Sequence, residues 1–349
     1  MIINKEEFGK MPDGTQIYKY TIENINGVRV GILSLGATLH SLFVPDREGE
    51  MKDVLLGFDD VEGYLERSSY QGASVGPVAN RIGGGAFVLD GKKYDLIKNE
   101  NGETCLHSGG EFSFAPWKAI ITDTDSIEFS YVSPDGMNGF PGEVRACITY
   151  KLGANNDLHI KYKAVSDQKT FMNLTNHAYF NLSGYDAGDI LSHELKLYCS
   201  AITPVDSKSI PTGELMSVDG SAFDFRDSKR IGDEIDNSEE QLGFTGGYDH
   251  NFVIDNADGS LVKCAEVYEP VSGRRMHVYT TMPGVQFYAG NFLKGEAGKE
   301  NKPMNKRSGF CLETQFYPDT PNKSAFPQCV FEAGEEFISE TVYTFEVSE

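Results

Sequence analysis

The amino-acid sequence predicts an all-β protein built of antiparallel sheets, with few short helices. Short apolar or alternating segments recur along the 349 residues, and Asn-Gly, Asp-Gly and glycine-rich turns separate them. Helical periodicity is scarce, and only residues 59–67 look helical. No Pro/Ser-rich linker or repeat of fixed period interrupts this pattern, so we expect one domain over residues 1–349.

Three hairpins follow from segments that a turn-forming sequence joins. Residues 18–33 are predicted to form two strands connected at Asn26-Gly27, and residues 86–96 repeat this pattern around Asp90-Gly91. Residues 143–150 and 158–165 form the third hairpin. Further strands are predicted at residues 127–132, 194–199, 251–254, 261–268, 275–281 and 337–347.

The charge balance excludes several classes of partner. The sequence has 31 Lys and Arg residues against 52 Asp and Glu residues, a formal net charge of -21. Such a protein repels nucleic-acid phosphates and anionic membranes, so we expect a small neutral ligand, no nucleic acid and no membrane. The first residues lack the basic and apolar segments of a secretory signal, and we therefore expect a cytoplasmic protein.

Cysteine and histidine spacing argues against a metal site. Six cysteines lie far apart without a CxxC pair, which predicts reduced, mostly buried thiols rather than a zinc site or a disulfide scaffold. The seven histidines form no HxH or HxxxH pair, and the triple glycine at residues 83–85 lacks a following Walker lysine. We expect neither a metal ion nor a nucleotide.

Residues 170–182, TFMNLTNHAYFNL, form the most informative segment. If the segment is one strand, alternation places a nearly apolar set of side chains on one face. The other face then carries hydrogen-bonding and aromatic groups that suit a polyhydroxyl ligand, although a structural histidine is the alternative for His177. That face comprises Phe171, Asn173, Thr175, His177, Tyr179 and Asn181.

A second segment, residues 309–318, places one carboxylate in an otherwise uncharged strand. Alternation puts Glu313 on the same face as Cys311, Gln315 and Tyr317. Because burial of a lone carboxylate is costly, we expect desolvation to raise the pKa of Glu313 and make it a candidate base. The alternative is a structural carboxylate that accepts hydrogen bonds from the backbone.

Other polar residues stand in strands and glycine-rich loops where a ligand could approach the backbone. Gln286 and Tyr288 share one strand face, an amide and an aromatic group of the kind that binds sugars. Three loop segments contribute Asn80 and Arg81, His107, and Asp249. Each segment taken alone is equally compatible with an ordinary strand or polar turn.

Six ordered motifs identify a family. GPVANRIGG, LHSGG, NLTNHAYFNL, YDHNFVI, PGVQFYAGNFL and CLETQFYPD closely resemble the successive motifs of aldose 1-epimerases, also called galactose mutarotases, and GATLHSLFVPDREG resembles the family's first strand and turn. The resemblance implies a large antiparallel β-sandwich of the galactose mutarotase-like type. It also implies reversible interconversion of the α and β anomers of glucose, galactose and related aldoses, without a metal or organic cofactor.

The resemblance also assigns residues to roles. His177 is similar to the family's general acid and Glu313 to its general base. The matched substrate-binding residues are Arg81, His107, Asp249 and Gln286, with Asn80 and Tyr179 as further contacts. Pro77 and Phe316 depart from the family pattern, where an arginine and a histidine are frequent, and this bears on substrate preference rather than on reaction class.

Ring opening of a hemiacetal requires removal of the C1 hydroxyl proton and delivery of a proton to the ring oxygen. We expect Glu313 to begin as a carboxylate and His177 as an imidazolium. The enzyme is expected to act on a small aldose as a monomer or homodimer, with neither nucleic acid nor a membrane as a partner.

Three alternatives remain open at this point. A glycoside hydrolase would use Glu313 and Asp249 as its paired carboxylates. A sugar-phosphate epimerase would gather several basic residues, of which only Arg81 stands near the motifs. A non-catalytic sugar-binding protein would need no acid and base together.

Overall fold

A computed structural model describes residues 2–348, and it consists mostly of β-strands. In chain order the strands are β1 (Ile2–Lys10), β2 (Gln16–Glu23), β3 (Arg29–Leu33), β4 (Thr38–Pro45), β5 (Met51–Asp53), β6 (Ser74–Val75), β7 (Arg81–Ile82), β8 (Ala86–Leu89), β9 (Lys92–Asp95), β10 (Cys105–Leu106), β11 (Lys118–Asp123), β12 (Ser126–Ser133), β13 (Val144–Leu152), β14 (Asp157–Ser166) and β15 (Thr170–Phe171). They continue with β16 (Thr175–Asn176), β17 (Glu194–Leu197), β18 (Cys199–Ile202), β19 (Met216–Ser217), β20 (Lys229–Arg230), β21 (Asp249–Ile254), β22 (Val262–Tyr268), β23 (Arg274–Thr280), β24 (Gly284–Tyr288), β25 (Glu296–Ala297), β26 (Pro303–Met304), β27 (Cys311–Gln315), β28 (Val330–Phe331) and β29 (Glu336–Val347).

Helices are short and lie between the strands. The two α-helices are α1 (Glu111–Phe114) and α2 (Glu240–Thr245), and a π-helical turn spans Gly63–Arg67. Single 3₁₀ turns cover Gly83–Gly85, His107–Gly110, Met137–Gly139, Lys299–Asn301 and Thr320–Asn322. The helical prediction at residues 59–67 therefore holds in part, but the prediction that it is the only helical segment is wrong.

Three large antiparallel sheets organise the molecule. One has nine strands in the order β11-β12-β13-β14-β29-β23-β22-β17-β20, and one has five in the order β1-β2-β3-β4-β5. The third, which we call the site sheet, has the order β19-β18-β21-β24-β27. The three predicted hairpins are present as β2-β3, β8-β9 and β13-β14, which confirms the turn assignments.

The nine-stranded sheet packs its inner face against both five-stranded sheets. On β13 and β14 buried side chains alternate with more exposed ones, as the period of two residues requires. Tyr20 of β2 contacts Phe129 of β12 edge to face at 5.7 Å, and Tyr343 of β29 reaches the Leu312 carbonyl of β27. One continuous apolar core therefore joins all three sheets in a sandwich.

Burial in this core predicts a large stability difference between two isoleucines on neighbouring strands. Ile160 of β14 is fully buried, whereas Ile338 of β29 is 68% exposed on the opposite face of the same sheet. Both alanine variants lose β propensity, worth up to about 1 kcal/mol. We expect Ile160→Ala to cost about 2–5 kcal/mol in the free energy of unfolding, because it also leaves a cavity.

Urea denaturation would measure both variants. Ile338→Ala is expected to lower the free energy of unfolding by no more than about 1 kcal/mol, so the difference isolates the burial contribution. Equal denaturation midpoints for the two variants would contradict the placement of Ile160 in the core.

The prediction of one alternating strand over residues 170–182 is wrong. Only β15 and β16 are strands there, and the remaining residues follow an irregular path through the core. The Asn173 amide binds the backbone of Phe316, and the Asn181 amide donates to the carbonyls of Gly188 and Ser308. Both asparagines satisfy buried backbone rather than face a ligand, because irregular backbone in a core must find side-chain partners.

Two further expectations concern thiols and membranes. All six cysteines are free, and five of them are buried, as their spacing predicts. Across residues 2–348, none of the helices has the length and apolar character needed to cross a membrane.

Candidate active site

A cleft of about 610 Å³ opens at one edge of the site sheet. Strand β21 supplies Asp249 and β27 supplies Glu313, while His177 follows β16. Seven of the eight predicted site residues line the cleft, although they come from distant parts of the chain. The seven are Asn80, Arg81, His107, His177, Tyr179, Asp249 and Glu313.

The centre of the cleft is a buried acid–base pair. His177 Nε2 lies 3.6 Å from Glu313 Oε1, and the two side chains are 7% and 2% exposed. Backbone hydrogen bonds with Ala73 and Gly72 hold His177 in place. Pairing of β27 with β24, in which Glu313 lies opposite Gln286, fixes the backbone of Glu313 at the floor of the cleft. The pair is therefore fixed by main-chain structure on both sides.

Burial shifts the pKa of Glu313 upwards. Desolvation raises this pKa well above its ordinary value, and the negative charge of Asp249 adds to the shift, while Arg81 opposes it. The second carboxylate oxygen, Oε2, is buried and has no hydrogen-bond partner among residues 2–348. Glu313 is thus a buried carboxyl group whose protonated form is favoured in the empty cleft.

Burial shifts the pKa of His177 in the opposite direction. Desolvation lowers it to about 4, its own backbone carbonyl opposes the shift, and Arg81 lowers the pKa further. The imidazole also lies between two aromatic rings, Tyr179 at 5.1 Å and Tyr70 at 5.9 Å between centroids. Without a ligand the cleft therefore favours a neutral imidazole beside a protonated Glu313, and the expected imidazolium beside a carboxylate stays a prediction for the occupied cleft.

An ion-pair network forms one wall of the cleft. The Arg81 guanidinium donates to Glu100 through Nε and Nη2, and its Nη1 lies 3.6 Å from Asp249. Gln286 donates from Nε2 to Asp249 Oδ1 at 2.7 Å. Burial raises the pKa of Asp249, and the charge of Arg81 opposes this. The network holds Asp249 in one orientation toward the cleft.

Gln286 is the one predicted site residue that does not line the cleft. It is buried beside Asp249, and its Oε1 has no hydrogen-bond partner among the described residues. In this structure it orients Asp249, and a direct contact with a ligand stays a prediction.

Two site residues adopt left-handed backbone conformations. Asn80 has φ 63° and His107 has φ 50°, which non-glycine residues adopt uncommonly. The backbone N–H of Asn80 donates to His107 Nδ1 at 3.1 Å, and the side-chain Oδ1 of Asn80 accepts from the backbone N–H of Arg81. The glycine-rich motifs thus bring two loops together, and each loop holds its polar side chain at the cleft by local strain and mutual hydrogen bonds.

The family departures at Pro77 and Phe316 lie outside the cleft lining. Phe316 faces an apolar groove near Phe331 and Phe337, on another part of the molecule. Pro77 accepts a backbone hydrogen bond from Asn173. Neither side chain is therefore placed to discriminate between ligands in the cleft.

Several residues that line the cleft were not predicted as site residues from the sequence. Tyr70 packs on His107 at 4.7 Å between ring centroids, and Glu100 pairs with Arg81. Tyr288 follows Gln286 on β24, an aromatic that the sequence marked without assigning it a site role. The rim adds Ser68, Ser69, Asn101, Leu106, Ser207, Lys208, Ser209, Phe292, Lys294 and Glu296.

Three side chains of the cleft have donor atoms of the types that bind metal ions. Side-chain donor atoms of His107, His177 and Glu313 lie within 4.8 Å of one another. The positive charge of Arg81 acts on all three of these groups and disfavours a cation there. Arrangement and charge are better suited to binding hydroxyls and transferring protons.

Comparison with known proteins gives a consistent result. The family model described as aldose 1-epimerase matches residues 18–344. Galactose mutarotase of Bos taurus is 44% identical, over 99% of each chain, and aldose 1-epimerase of Escherichia coli K12 is 37% identical over 96% of each. The crystal structure of galactose 1-epimerase from Lactobacillus acidophilus superimposes with a TM-score of 0.87 at 26% identity, covering 99% of both chains.

Proposed function

Because this chain belongs to the aldose 1-epimerase family, we propose that it interconverts the α and β anomers of free aldohexoses such as glucose and galactose. The proposed chemistry is acid–base-catalysed opening and closure of the pyranose ring. The observation that carries this mechanism is the 3.6 Å contact between His177 and Glu313 at the floor of a polar cleft.

Sugar binding is proposed to move the shared proton from Glu313 to His177. The C1 hydroxyl can donate a hydrogen bond to a Glu313 carboxylate, and the ring oxygen can accept one from a His177 imidazolium. Each hydrogen bond favours the charged form of its partner. The bound sugar therefore selects the ion-pair arrangement, which the empty cleft disfavours by desolvation.

Ring opening then follows in one balanced exchange. Glu313 takes the proton of the C1 hydroxyl, the bond between C1 and the ring oxygen breaks, and His177 gives its Nε2 proton to that oxygen. Rotation about the C1–C2 bond presents the other face of the aldehyde. The two groups reverse roles to close the ring, and the protein ends as it began.

The remaining site residues are proposed to bind sugar hydroxyls. Asp249 and Glu100 are acceptors, Arg81 is a donor, and Asn80 and His107 offer neutral polar groups at the same wall. Tyr179 donates its hydroxyl to the Ser69 carbonyl, so its ring face rather than its hydroxyl is available to a ligand.

The geometry favours this function over the two leading alternatives. The ion pair with Arg81 and the hydrogen bond from Gln286 fix Asp249 as a charged acceptor, which suits binding of a hydroxyl better than the role of a second catalytic carboxylate in a glycoside hydrolase. A sugar-binding protein would gain nothing from burying a carboxyl group and an imidazole side by side, because that burial is costly.

Polarimetry tests the proposed function directly. Freshly dissolved α-D-glucose and α-D-galactose should relax to their unchanged final rotations faster with the protein than without it. Methyl α-D-galactoside, which has no free C1 hydroxyl, should show no change in rotation. Release of reducing sugar from that glycoside would favour a hydrolase, and no acceleration with any aldose would overturn the proposal.

Removal of a hydroxyl-binding residue should weaken binding more than turnover. Asn80→Gly removes the amide and keeps the positive φ, which glycine adopts readily. We expect KM to rise by about tenfold, equivalent to about one hydrogen bond, with kcat nearly unchanged. Asn155→Gly, in the exposed β13-β14 turn, is the control and should leave both constants unchanged. A fall in kcat with constant KM would contradict a binding role for Asn80.

A further inference from the structure

We propose that Cys311 is a positioning residue for His177, whose imidazole it holds through a hydrogen bond from Nδ1 to its thiol sulfur. Cys311 Sγ lies 3.5 Å from His177 Nδ1, within the range of a sulfur hydrogen bond. The inference rests on the proposed acid–base role of His177, and it assigns a function to a residue that does not itself line the cleft.

Strand β27 carries both partners of the histidine. Cys311 and Glu313 are two residues apart, so their side chains leave the same face of the strand. Cys311 is fully buried and lies opposite Tyr288 in the ladder. One strand therefore fixes the imidazole at both nitrogens, with the thiol at Nδ1 and the carboxyl group at Nε2.

The thiol sulfur is the hydrogen-bond acceptor in this contact. Burial raises the pKa of Cys311 well above its ordinary value, and the charges of Glu313 and Asp249 raise it further, so the sulfur stays a neutral thiol with lone pairs to offer. Because Glu313 holds its proton and faces Nε2 at 3.6 Å, the neutral imidazole carries its own proton on Nδ1 and donates it to the sulfur. The contact therefore selects the tautomer that presents the lone pair of Nε2 to the Glu313 carboxyl group.

A thiol also suits a histidine that must gain and lose a proton. A carboxylate at Nδ1 would stabilise the imidazolium and raise its pKa. The neutral thiol is a weak partner for either charge state, so it orients the ring without holding it in one of them. A cysteine with a purely structural role would affect neither the tautomer of His177 nor its proton transfer, and both can be measured.

The test compares Cys311→Val with Cys311→Ser and with a control, Cys264→Val. Valine fills the site without a hydrogen bond, and serine retains an acceptor for Nδ1–H. Cys264 is equally buried but contacts the Val278 carbonyl of β23 instead. We expect Cys311→Val to lower kcat by about ten- to a hundredfold, because a small displacement of a proton-transfer group has effects of this size. KM should stay nearly constant, and Cys264→Val should retain wild-type kcat.

A second readout is independent of turnover. Nitrogen-15 NMR of the wild-type protein should show His177 as the Nδ1–H tautomer at neutral pH, with the signal assigned by its loss in His177→Asn. Cys311→Ser should keep this tautomer and most of the activity. A wild-type Nε2–H tautomer would overturn the inference, and so would a folded Cys311→Val with the kcat of Cys264→Val.

The two proposals can fail separately. If the wild-type protein accelerates no mutarotation, the proposed function fails, while the tautomer measurement still tests the thiol contact. If Cys311→Val does not fold, the wild-type tautomer and Cys311→Ser decide the inference.

Discussion

Replacement of Glu313 by glutamine is expected to reduce kcat for anomer exchange by about 10²- to 10⁴-fold, the usual contribution of one positioned acid or base. Glutamine matches the shape of the buried carboxyl group and can still bind the C1 hydroxyl, but it cannot take a proton. KM should therefore change little. Polarimetry of fresh α-D-galactose at neutral pH measures the effect.

A matched carboxyl group gives the control for this variant. Glu111 on α1 also has a pKa raised by burial, and it lies outside the cleft. Glu111→Gln should keep the wild-type kcat if the effect at Glu313 is chemical rather than a general response to burial. Wild-type turnover in Glu313→Gln would remove this residue from the mechanism.

The same substitution has a predictable effect on stability. The folded-state pKa of Glu313 is raised, so the folded protein binds this proton more tightly than the unfolded chain does. Stability is therefore lost as pH rises from the ordinary value of 4.5 through the folded-state pKa. Glu313→Gln removes this loss, and we expect the variant to be at least as stable as the wild type at neutral pH.

The sequence predicted the parts of the fold that local chemistry determines. Asn26-Gly27 and Asp90-Gly91 favour turns whatever the rest of the chain does, and their hairpins are present. The prediction of one strand over residues 170–182 failed because alternation of apolar and polar residues does not by itself require a regular strand. Their path depends instead on distant backbone, such as the Phe316 amide bound by Asn173, which local periodicity does not encode.

The site was predictable to the extent that its residues are unusual in their segments. Glu313 is the one ionisable carboxyl group in an otherwise uncharged strand, and its burial there also raises its pKa, which is what makes it a candidate base. Tyr70 and Glu100 carry no such signal, because they become site residues only through contacts with His107 and Arg81. The protonation of His177 and Glu313 in the empty cleft depends on how deeply both groups are buried, which no local pattern encodes. The single domain over residues 1–349 stays a prediction.

Replacement of His177 by asparagine is the second variant with a large expected effect. We expect kcat to fall by about 10²- to 10⁴-fold, because no group then delivers a proton to the ring oxygen. Asparagine retains polar atoms near the position of the imidazole, so the sugar should still bind. His159, which pairs with Asp157 and Glu340 away from the cleft, gives the control variant His159→Asn, and this should turn over normally.

The pH profile separates loss of an acid from simple misplacement of the sugar. In the wild type, activity should fall as pH drops toward about 4, where His177 and Glu313 both hold protons. In His177→Asn the residual activity needs Glu313 as a lone carboxylate. Its raised pKa should therefore move the acid limb of the kcat profile to higher pH. An unchanged acid limb would show that His177 does not share its proton with Glu313.

Stability should move with pH in the direction that the depressed pKa of His177 requires. The unfolded chain takes up this proton near pH 6.5, whereas the folded protein does so only near pH 4. The wild type therefore loses the contribution of His177 as pH falls between these values, and it retains the contribution fully above pH 6.5. His177→Asn should lose less stability than the wild type over that interval in urea denaturation. A variant that is inactive yet shows the wild-type pH dependence of stability would mean that His177 has the same pKa in the folded protein as in the unfolded chain, and burial in the cleft would then not disfavour the charged imidazole.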